Sequence, residues 1–237
     1  MSMNLLYKRE YPINDKLRII IPTVGEILNQ EDEYYSLLYN MTSTPYDMMV
    51  ELDDMGIDYS KINDYQLFLL YWRFFSTMDT SLIFGDLDLS KFEIGVNEEN
   101  ANVILLDREN DIKIDRAIHG KITAILRRIH HLEKNNRKPG NEDAKKYLLE
   151  RARKKRARRQ NNTEDSELKK LIVSMVNAEQ FKYNYETVKD LTIYQFNESV
   201  LQIVNKVDYD NRMHGVFSGT VDAKKLSQDE LNWLSHK

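Results

Sequence analysis

The segment 145–159 most restricts how this chain can fold, because nine of its fifteen residues are Lys or Arg and only Glu150 is acidic. From residue 151 onward a helix here has almost no apolar side, so it cannot lie inside a hydrophobic core. The candidate partner-binding or phosphate-binding residues are Lys145, Lys146, Arg151, Arg153, Lys154, Lys155, Arg156, Arg158 and Arg159.

The charges of the chain are strongly separated along the sequence. Residues 1–120 hold 10 basic and 22 acidic residues, whereas residues 121–159 hold 15 basic and 4 acidic ones, so the formal net charge of −4 hides both blocks. The basic segment has three alternative interpretations. The first is that it binds nucleic acid phosphates, without base readout because only Tyr147 is nearby. The second is that it contacts the acidic N-terminal body of its own chain or of a second copy, and the third is that it is a solvated linker.

Composition excludes several classes of protein. The chain has no cysteine, which excludes disulfide scaffolds, thiolate zinc sites and cysteine nucleophiles. Hydrophobic residues make up 41% of the chain, enough for a core, so global disorder is not expected. Residues 1–10 lack the apolar stretch of a signal peptide, and the apolar run Leu67–Phe75 is too short to span a membrane. We therefore expect a soluble protein with no membrane partner.

Capping residues predict most of the helices. Thr23, Thr44 and Asn63 or Asp64 predict three consecutive helices over residues 24–77, the first of which includes Tyr34, Leu37 and Met41. Further helices are predicted from Asp115 over 116–133, from Asn141, from Ser166, over 186–207, and from Ser227 as a short terminal helix.

Short β-favouring runs predict the strands. One is Lys16–Ile21, and the others are Leu82–Leu89, Phe92–Val96, Asn102–Leu106 and Ile112–Ile114. The predicted fold class is mainly α (α+β): a helical body with a small antiparallel β insertion around 82–114 and a basic helical arm. The predicted domains are 1–133, a basic linker and arm at 134–165, and a C-terminal helical region at 166–237.

Motifs that would indicate catalysis are weak. Asp111-Ile-Lys113, with Asp86, Glu93 and Asp107 nearby, has the acid-x-Lys spacing of magnesium-dependent nucleases, but such triplets arise by chance in a highly charged chain. The pairs His119 with Asp115 and His130 with Glu133 lack the third ligand that a metal site needs. Gly215 and Gly219 do not precede a phosphate-loop lysine and predict a turn instead. We expect no enzymatic activity, no metal, no cofactor and no small-molecule substrate.

Aromatic residues are concentrated in the predicted helices of residues 24–77. Tyr71, Trp72, Phe74 and Phe75 cannot all face one side of a helix. Some of them are therefore expected to face the strand region or a partner chain, which favours self-association.

Five stretches of the chain resemble one group of proteins: Asp79–Phe92, Ile114–Arg116, Lys138–Lys146, Met213–Asp222 and Leu231–Trp233. In these stretches the sequence resembles tail-module proteins of tailed bacteriophages of Gram-positive hosts, and in size and acidic character it is similar to tail assembly chaperones. The resemblance covers most of the chain from about residue 40 onward.

That resemblance implies a non-enzymatic tail morphogenesis protein that binds tape-measure and tail-tube proteins in the cytoplasm of the bacterial host. It transfers no functional residue to this chain. Two alternatives remain open: a sequence-tolerant nucleic-acid-binding protein that uses the basic arm, and a minor structural component of the phage tail or neck, which would be associated with the virion.

Overall fold

A computed structural model describes residues 4–97, 101–160 and 166–234, and it has the predicted α+β class, with a helical body and two small antiparallel sheets. The α-helices of this part of the chain are α1 Val24–Leu28, α2 Glu31–Thr42, α3 Met49–Asp54, α4 Asp64–Phe75, α5 Ser81–Phe84, α6 Arg116–Ile129, α7 Glu142–Gln160, α8 Glu167–Val176 and α9 Ile193–Phe217. Within the described ranges, every helix is too short or too polar to cross a membrane.

Five strands form the two sheets. They are β1 Glu10–Pro12, β2 Arg18–Ile20, β3 Glu93–Val96, β4 Val103–Asp107 and β5 Ile112–Ile114. β1 and β2 pair as one hairpin, and the second sheet has the order β3-β4-β5 with antiparallel neighbours. The predicted antiparallel insertion is therefore confirmed for its last three strands.

The prediction of a strand at 82–89 is wrong. This run instead forms α5, and Leu89–Lys91 forms a 3-10 turn. This single helical turn buries the side chains of Ile83 and Phe84. Gly85 then ends that turn with a φ of 64°, a left-handed conformation that glycine adopts without steric cost.

Side-chain caps start several helices where the sequence predicted them. Thr23 with Glu26 and Asn63 with Gln66 form complete capping boxes, and the Asp115 carboxylate accepts a hydrogen bond from the Ile118 amide at 2.8 Å. Each cap satisfies amides that the first helical turn leaves without partners.

The structure also corrects four predicted helices. The helix predicted from Thr44 begins only at Met49, as α3, after turns at residues 45–48. The predicted first helix is two helices, α1 and α2. The long C-terminal helix begins after a capping box at Thr192, not at residue 186, where a 3-10 turn precedes it. Ser227 and Glu230 make their capping-box contacts, but turns follow in the described residues up to 234, not the predicted terminal helix.

The main core joins nearly all of these elements. Its buried side chains extend from Leu5 to Phe196 and include Phe75 of α4, Ile122 of α6 and Ile172 of α8. The same hydrophobic cluster therefore holds side chains from the predicted regions 1–133 and 166–237. The predicted domain boundaries themselves stay a prediction.

α9 leaves the core soon after it starts. Ile193, Tyr194 and Phe196 are its buried residues, and the rest of its described length is half-buried or exposed. The chain after α9 folds back along it. The Arg212 guanidinium donates to the Glu230 carbonyl at 3.0 Å, so the two segments form a hairpin-like projection.

Candidate functional site

The basic helix α7 packs on a second, smaller hydrophobic cluster. Met48, Met49, Val50, Leu52, Tyr59 and Leu67 form this cluster. Leu148, Leu149 and Ala152 of α7 are half-buried against it. These three residues lie on one side of the helix, because positions three and four apart share a face. α7 is thus attached to the body by a narrow apolar strip.

Ion pairs border that strip at its N-terminal end. The Lys145 ammonium lies 2.7 Å from the Asp58 carboxylate and 5.8 Å from the centre of the Tyr59 ring. The hydrogen bond from Lys145, helped by Ser60, holds the pKa of Asp58 well below its usual range, and the same bond raises the pKa of Lys145. Both groups are therefore charged at neutral pH.

Two arginines make equivalent contacts about two and three turns further along the helix. The Arg153 guanidinium lies 2.6 Å from the carboxylates of both Asp53 and Asp54. Arg156 lies 3.4 Å from Asp54 and 3.5 Å from Glu51. The hydrogen bonds to Asp53 and Asp54 raise the pKa of Arg153. Three of the nine predicted residues thus contact acidic side chains of their own chain.

Most of the other predicted residues face away from the body. Lys146, Arg151, Lys154, Lys155 and Arg158 are exposed. Among the described residues, each of these five has no carboxylate within ion-pair distance. The ninth, Arg159, has a side chain outside the described part of the structure.

An exposed stripe runs along the outer side of α7. We define this outward face as Tyr147, Arg151, Lys154 and Arg158, which follow at spacings of four, three and four and therefore lie in line on a helix. The Tyr147 ring is 63% exposed. The stripe is about 16 Å long from its first to its last Cα, given the rise of an α-helix. Cations with an exposed aromatic ring can contact phosphates and stack on a base.

Sequence reasoning did not identify the acidic residues that receive α7. Glu51, Asp53, Asp54 and Asp58 lie within eight positions. Such a dense acidic run could have been matched with the basic run. The sequence alone could not show which basic side chains meet it, because this depends on which side of α7 carries Leu148 and Leu149.

A second exposed surface, also missed, lies on α9. Val204 is 49% exposed, Val207 is 39% exposed and Phe217 is 85% exposed. Val200 precedes the two other valines at helical spacing and is half-buried against the core. We call Val200, Val204 and Val207 the valine stripe. Its signal in the sequence is the spacing of four and then three residues between these valines, in a helix that was predicted over the whole stripe.

The other candidate groups do not converge. The Asp111 carboxylate pairs with Lys16 at 3.0 Å, and Asp107 accepts a hydrogen bond from the Asn110 side chain. The carboxylate of Asp115 caps α6. In the ranges that the structure describes, no three His, Asp or Glu side chains lie close enough to hold a metal ion.

The comparison with protein families covers the C-terminal third of the chain. Residues 158–237 match the family described as YomV second domain. This family is phage-associated, so the match indicates a phage protein without singling out a tail assembly chaperone. No curated protein and no solved structure matches the chain.

The matched residues include the end of α7, all of α8 and α9, and the segment that folds back along α9. The valine stripe therefore belongs to the matched region, whereas most of the outward face of α7 precedes it. Two exposed surfaces of different chemistry thus lie on either side of the start of this domain.

Proposed function

We propose that this protein is a non-enzymatic phage tail morphogenesis protein, acting as a tail assembly chaperone that binds the tape-measure protein and tail-tube subunits. The phage-associated family match and the resemblance to tail-module proteins support the phage context. The exposed apolar surface of α9, inside the matched region, is the observation that carries the proposal.

The valine stripe suits a helical partner. Apolar side chains at helical spacing on an exposed helix form the contact surface by which amphipathic helices associate. Contiguous exposed apolar side chains commonly mark sites of protein–protein interaction. The tape-measure protein, as a long helical molecule, offers many segments of this kind. A chaperone would cover such a segment until the tail tube assembles around it.

Co-expression with the tape-measure and tail-tube proteins of the same phage, followed by pull-down, tests the proposal. The double variant Val204→Asp with Val207→Asp is expected to lose the tape-measure protein, because burying two carboxylates without partners strongly opposes association. Leu70→Asp is the matched control, since Leu70 is a 48% exposed apolar residue on α4. Retention of neither partner by the wild type at moderate salt would contradict the chaperone function.

Purified virions separate this function from that of a minor tail or neck component. An assembly chaperone is expected to be absent from mature particles, whereas a structural component is present at a fixed copy number. Quantitative mass spectrometry of the particles gives the answer.

The outward face of α7 supports a second candidate function, sequence-tolerant binding of nucleic acid. Its three cations are free of the acidic residues that hold Lys145, Arg153 and Arg156. Phosphates attract such a surface mainly through counterion release, so the affinity would fall steeply with salt.

Fluorescence anisotropy with a labelled single-stranded oligonucleotide tests this candidate. Replacing Arg151, Lys154 and Arg158 by Ala should weaken binding and reduce the slope of log affinity against log salt by up to about one for each phosphate that is no longer bound. A triple variant of exposed cations elsewhere, Lys8, Lys121 and Lys224 to Ala, serves as the control. Equal weakening in both triple variants would show that the oligonucleotide responds to the overall charge of the protein, and it would exclude a specific site on α7.

A further inference from the structure

A cavity of about 720 Å³ lies beside α6, away from both surfaces described above. Loop residues 44–46, 59–60 and 62, the start of α4 and the linker 134–139 form its other walls. Cavities of this volume are typical of sites that bind small molecules.

Cations outnumber anions among the charged residues that line this cavity. They are Arg116, Arg127, Lys134, Arg137 and Lys138, and among the described residues the one carboxylate of the lining is that of Asp64. The Lys134 ammonium lies 2.6 Å from Asp64 and neutralises it. Within the described residues, the four other cations have no carboxylate at ion-pair distance. The cavity therefore has a surplus of positive charge.

Arg127 is the most unusual of these cations because it is only 9% exposed. Its guanidinium donates to the Thr42 carbonyl, an uncharged acceptor. Burial lowers the pKa of Arg127, which shows that its environment disfavours the charge. Buried charges in proteins are normally paired. The carboxylates of Asp64 and Asp47 favour the charge of Arg127 without lying at ion-pair distance, so an anion in the cavity would be its direct charged partner.

Tyr59 supplies a second group without a partner. Its side chain is 4% exposed and lines the cavity, and its hydroxyl makes no hydrogen bond to any described residue. Buried hydroxyl groups nearly always have a hydrogen-bond partner. The hydroxyl oxygen is itself closed to solvent, so a ligand oxygen accepts its hydrogen bond once the Tyr59 ring turns toward the cavity.

His119 adds a third buried polar group to the lining. The ring is 4% exposed and packs against Phe68, with ring centres 4.6 Å apart and ring planes tilted by 30°. Burial lowers the pKa of His119 to about 4, so the ring is neutral at pH 7 and has one N–H donor. Its nitrogens make no hydrogen bond within the described part of the chain.

We propose that this cavity binds a small phosphate-bearing molecule of about nucleotide size, with a phosphate held by Arg127 and the rim residue Arg137, whereas Arg116, about 16 Å from Arg127 along α6, adds positive charge at the far end of the cavity. A phosphate carries more negative charge than a single carboxylate and matches the planar fork of a guanidinium. Tyr46, Tyr59 and Tyr65 provide aromatic walls against which a base can pack. The site departs from the expectation, based on the sequence, that the chain has no small-molecule substrate.

Isothermal titration calorimetry with the full chain tests the site directly. The probes are ATP, inorganic phosphate, adenosine, and citrate as a polyanion without phosphorus. ATP is expected to bind most tightly, inorganic phosphate more weakly, and adenosine and citrate weakest of all. Phosphate binding as tight as that of ATP would identify a site for the free ion and overturn the assignment to an organic phosphate. Citrate binding equal to that of ATP would overturn the assignment to phosphate.

Tyr59→Phe is the sharpest variant, because it removes an atom that has no partner in the unliganded protein. The unfolding temperature without ligand should stay the same or rise, while the affinity for ATP should fall by roughly tenfold for the removal of one hydrogen bond to a charged group. Arg127→Lys keeps the charge but loses the planar fork, and it should weaken binding by a similar factor.

Variants at exposed positions complete the test, because such substitutions leave the core unchanged. Arg137→Ala with Lys138→Ala should weaken ATP binding, and Lys121→Ala, an exposed cation of α6 outside the cavity, should leave it unchanged. Two outcomes overturn the proposal: no heat of binding with millimolar ATP, or an ATP affinity that is the same in wild type, Tyr59→Phe and the rim double variant.

Discussion

At the scale of single residues, two histidines show how burial decides charge. His130 ends α6, and its Nε2 lies 2.8 Å from the hydroxyl of Tyr34. Burial lowers the pKa of His130 to about 3 and that of His119 to about 4. Both rings are therefore neutral in the folded protein at any pH above about 5. A histidine in the unfolded chain has a pKa of about 6.5.

We predict that the protein loses stability as the pH falls from 7 to 5. In this range the unfolded chain binds protons at both histidines and the folded chain does not, so the free energy of unfolding decreases. Once the pH is well below 6.5, each buried histidine removes roughly 1.4 kcal/mol per pH unit. Urea unfolding at several pH values measures this slope.

The variant His130→Gln should reduce the slope, because one of the two proton-binding sites of the unfolded chain is gone. His214→Gln at an exposed position of α9 is the control and should keep the pH dependence caused by His119 and His130. An identical slope in wild type and His130→Gln would contradict the assignment.

At the scale of elements, the sequence predicted where several helices begin more accurately than how far each one extends. Polar caps such as Thr23, Asn63 and Asp115 act through amides within three residues of themselves, so local sequence is sufficient to predict them. The run at 82–89 was assigned to the wrong class because a short apolar stretch has no distinguishable period. Its burial beside β2, which is a tertiary contact, favours the helical turn.

The candidate site shows the same division between local and tertiary information. The sequence identified the basic helix and left open whether it meets phosphates, its own acidic body, a second copy or only solvent. The structure sorts its residues by side: Lys145, Arg153 and Arg156 contact acids of the body, and the outward face does not. No local pattern could sort them, since Lys and Arg occupy seven of the nine positions from Arg151 to Arg159 and therefore lie on both sides of the helix.

We predict that the acidic residues of α3 hold α7 against the body. In Asp53→Asn with Asp54→Asn, amides of residues 142–158 should exchange with solvent roughly two- to tenfold faster, a modest change because exposed ion pairs are weak. Global unfolding should change little, since Leu148 and Leu149 still pack on the second cluster. Hydrogen–deuterium exchange measures the local effect.

The matched control is Asp32→Asn with Glu33→Gln, which removes two exposed acids from α2. Exchange in residues 142–158 should then stay at the wild-type rate. Equal acceleration in both double variants would mean that general repulsion within the acidic body, and not contact with Arg153, governs the docking of α7.

At the scale of the whole molecule, α9 has two halves with different roles. Phe196 is fully buried in the main core, whereas Phe217 near the other end of the helix is 85% exposed. Phe196→Ala is expected to lower the free energy of unfolding by about 3–5 kcal/mol, because apolar burial is removed and a cavity is left behind. Phe217→Ala should change it by less than about 0.5 kcal/mol.

Chemical denaturation of both variants provides the measurement. Because the residues are identical in type and lie on the same helix, the comparison isolates burial from helix propensity. A cost below about 1 kcal/mol for Phe196→Ala would show that the C-terminal helices do not share one cooperative core with the N-terminal body.

The extent of the main core, from Leu5 to Phe196, also affects how the protein forms on the ribosome. Translation delivers residues from the N-terminus at a limited rate, so α1 to α6 leave the ribosome before α8 and the root of α9 exist. Until then, side chains such as Phe75 and Ile122 lack the neighbours that complete their burial. The nascent chain therefore carries an open apolar surface through most of its synthesis, and the last third of the protein closes it.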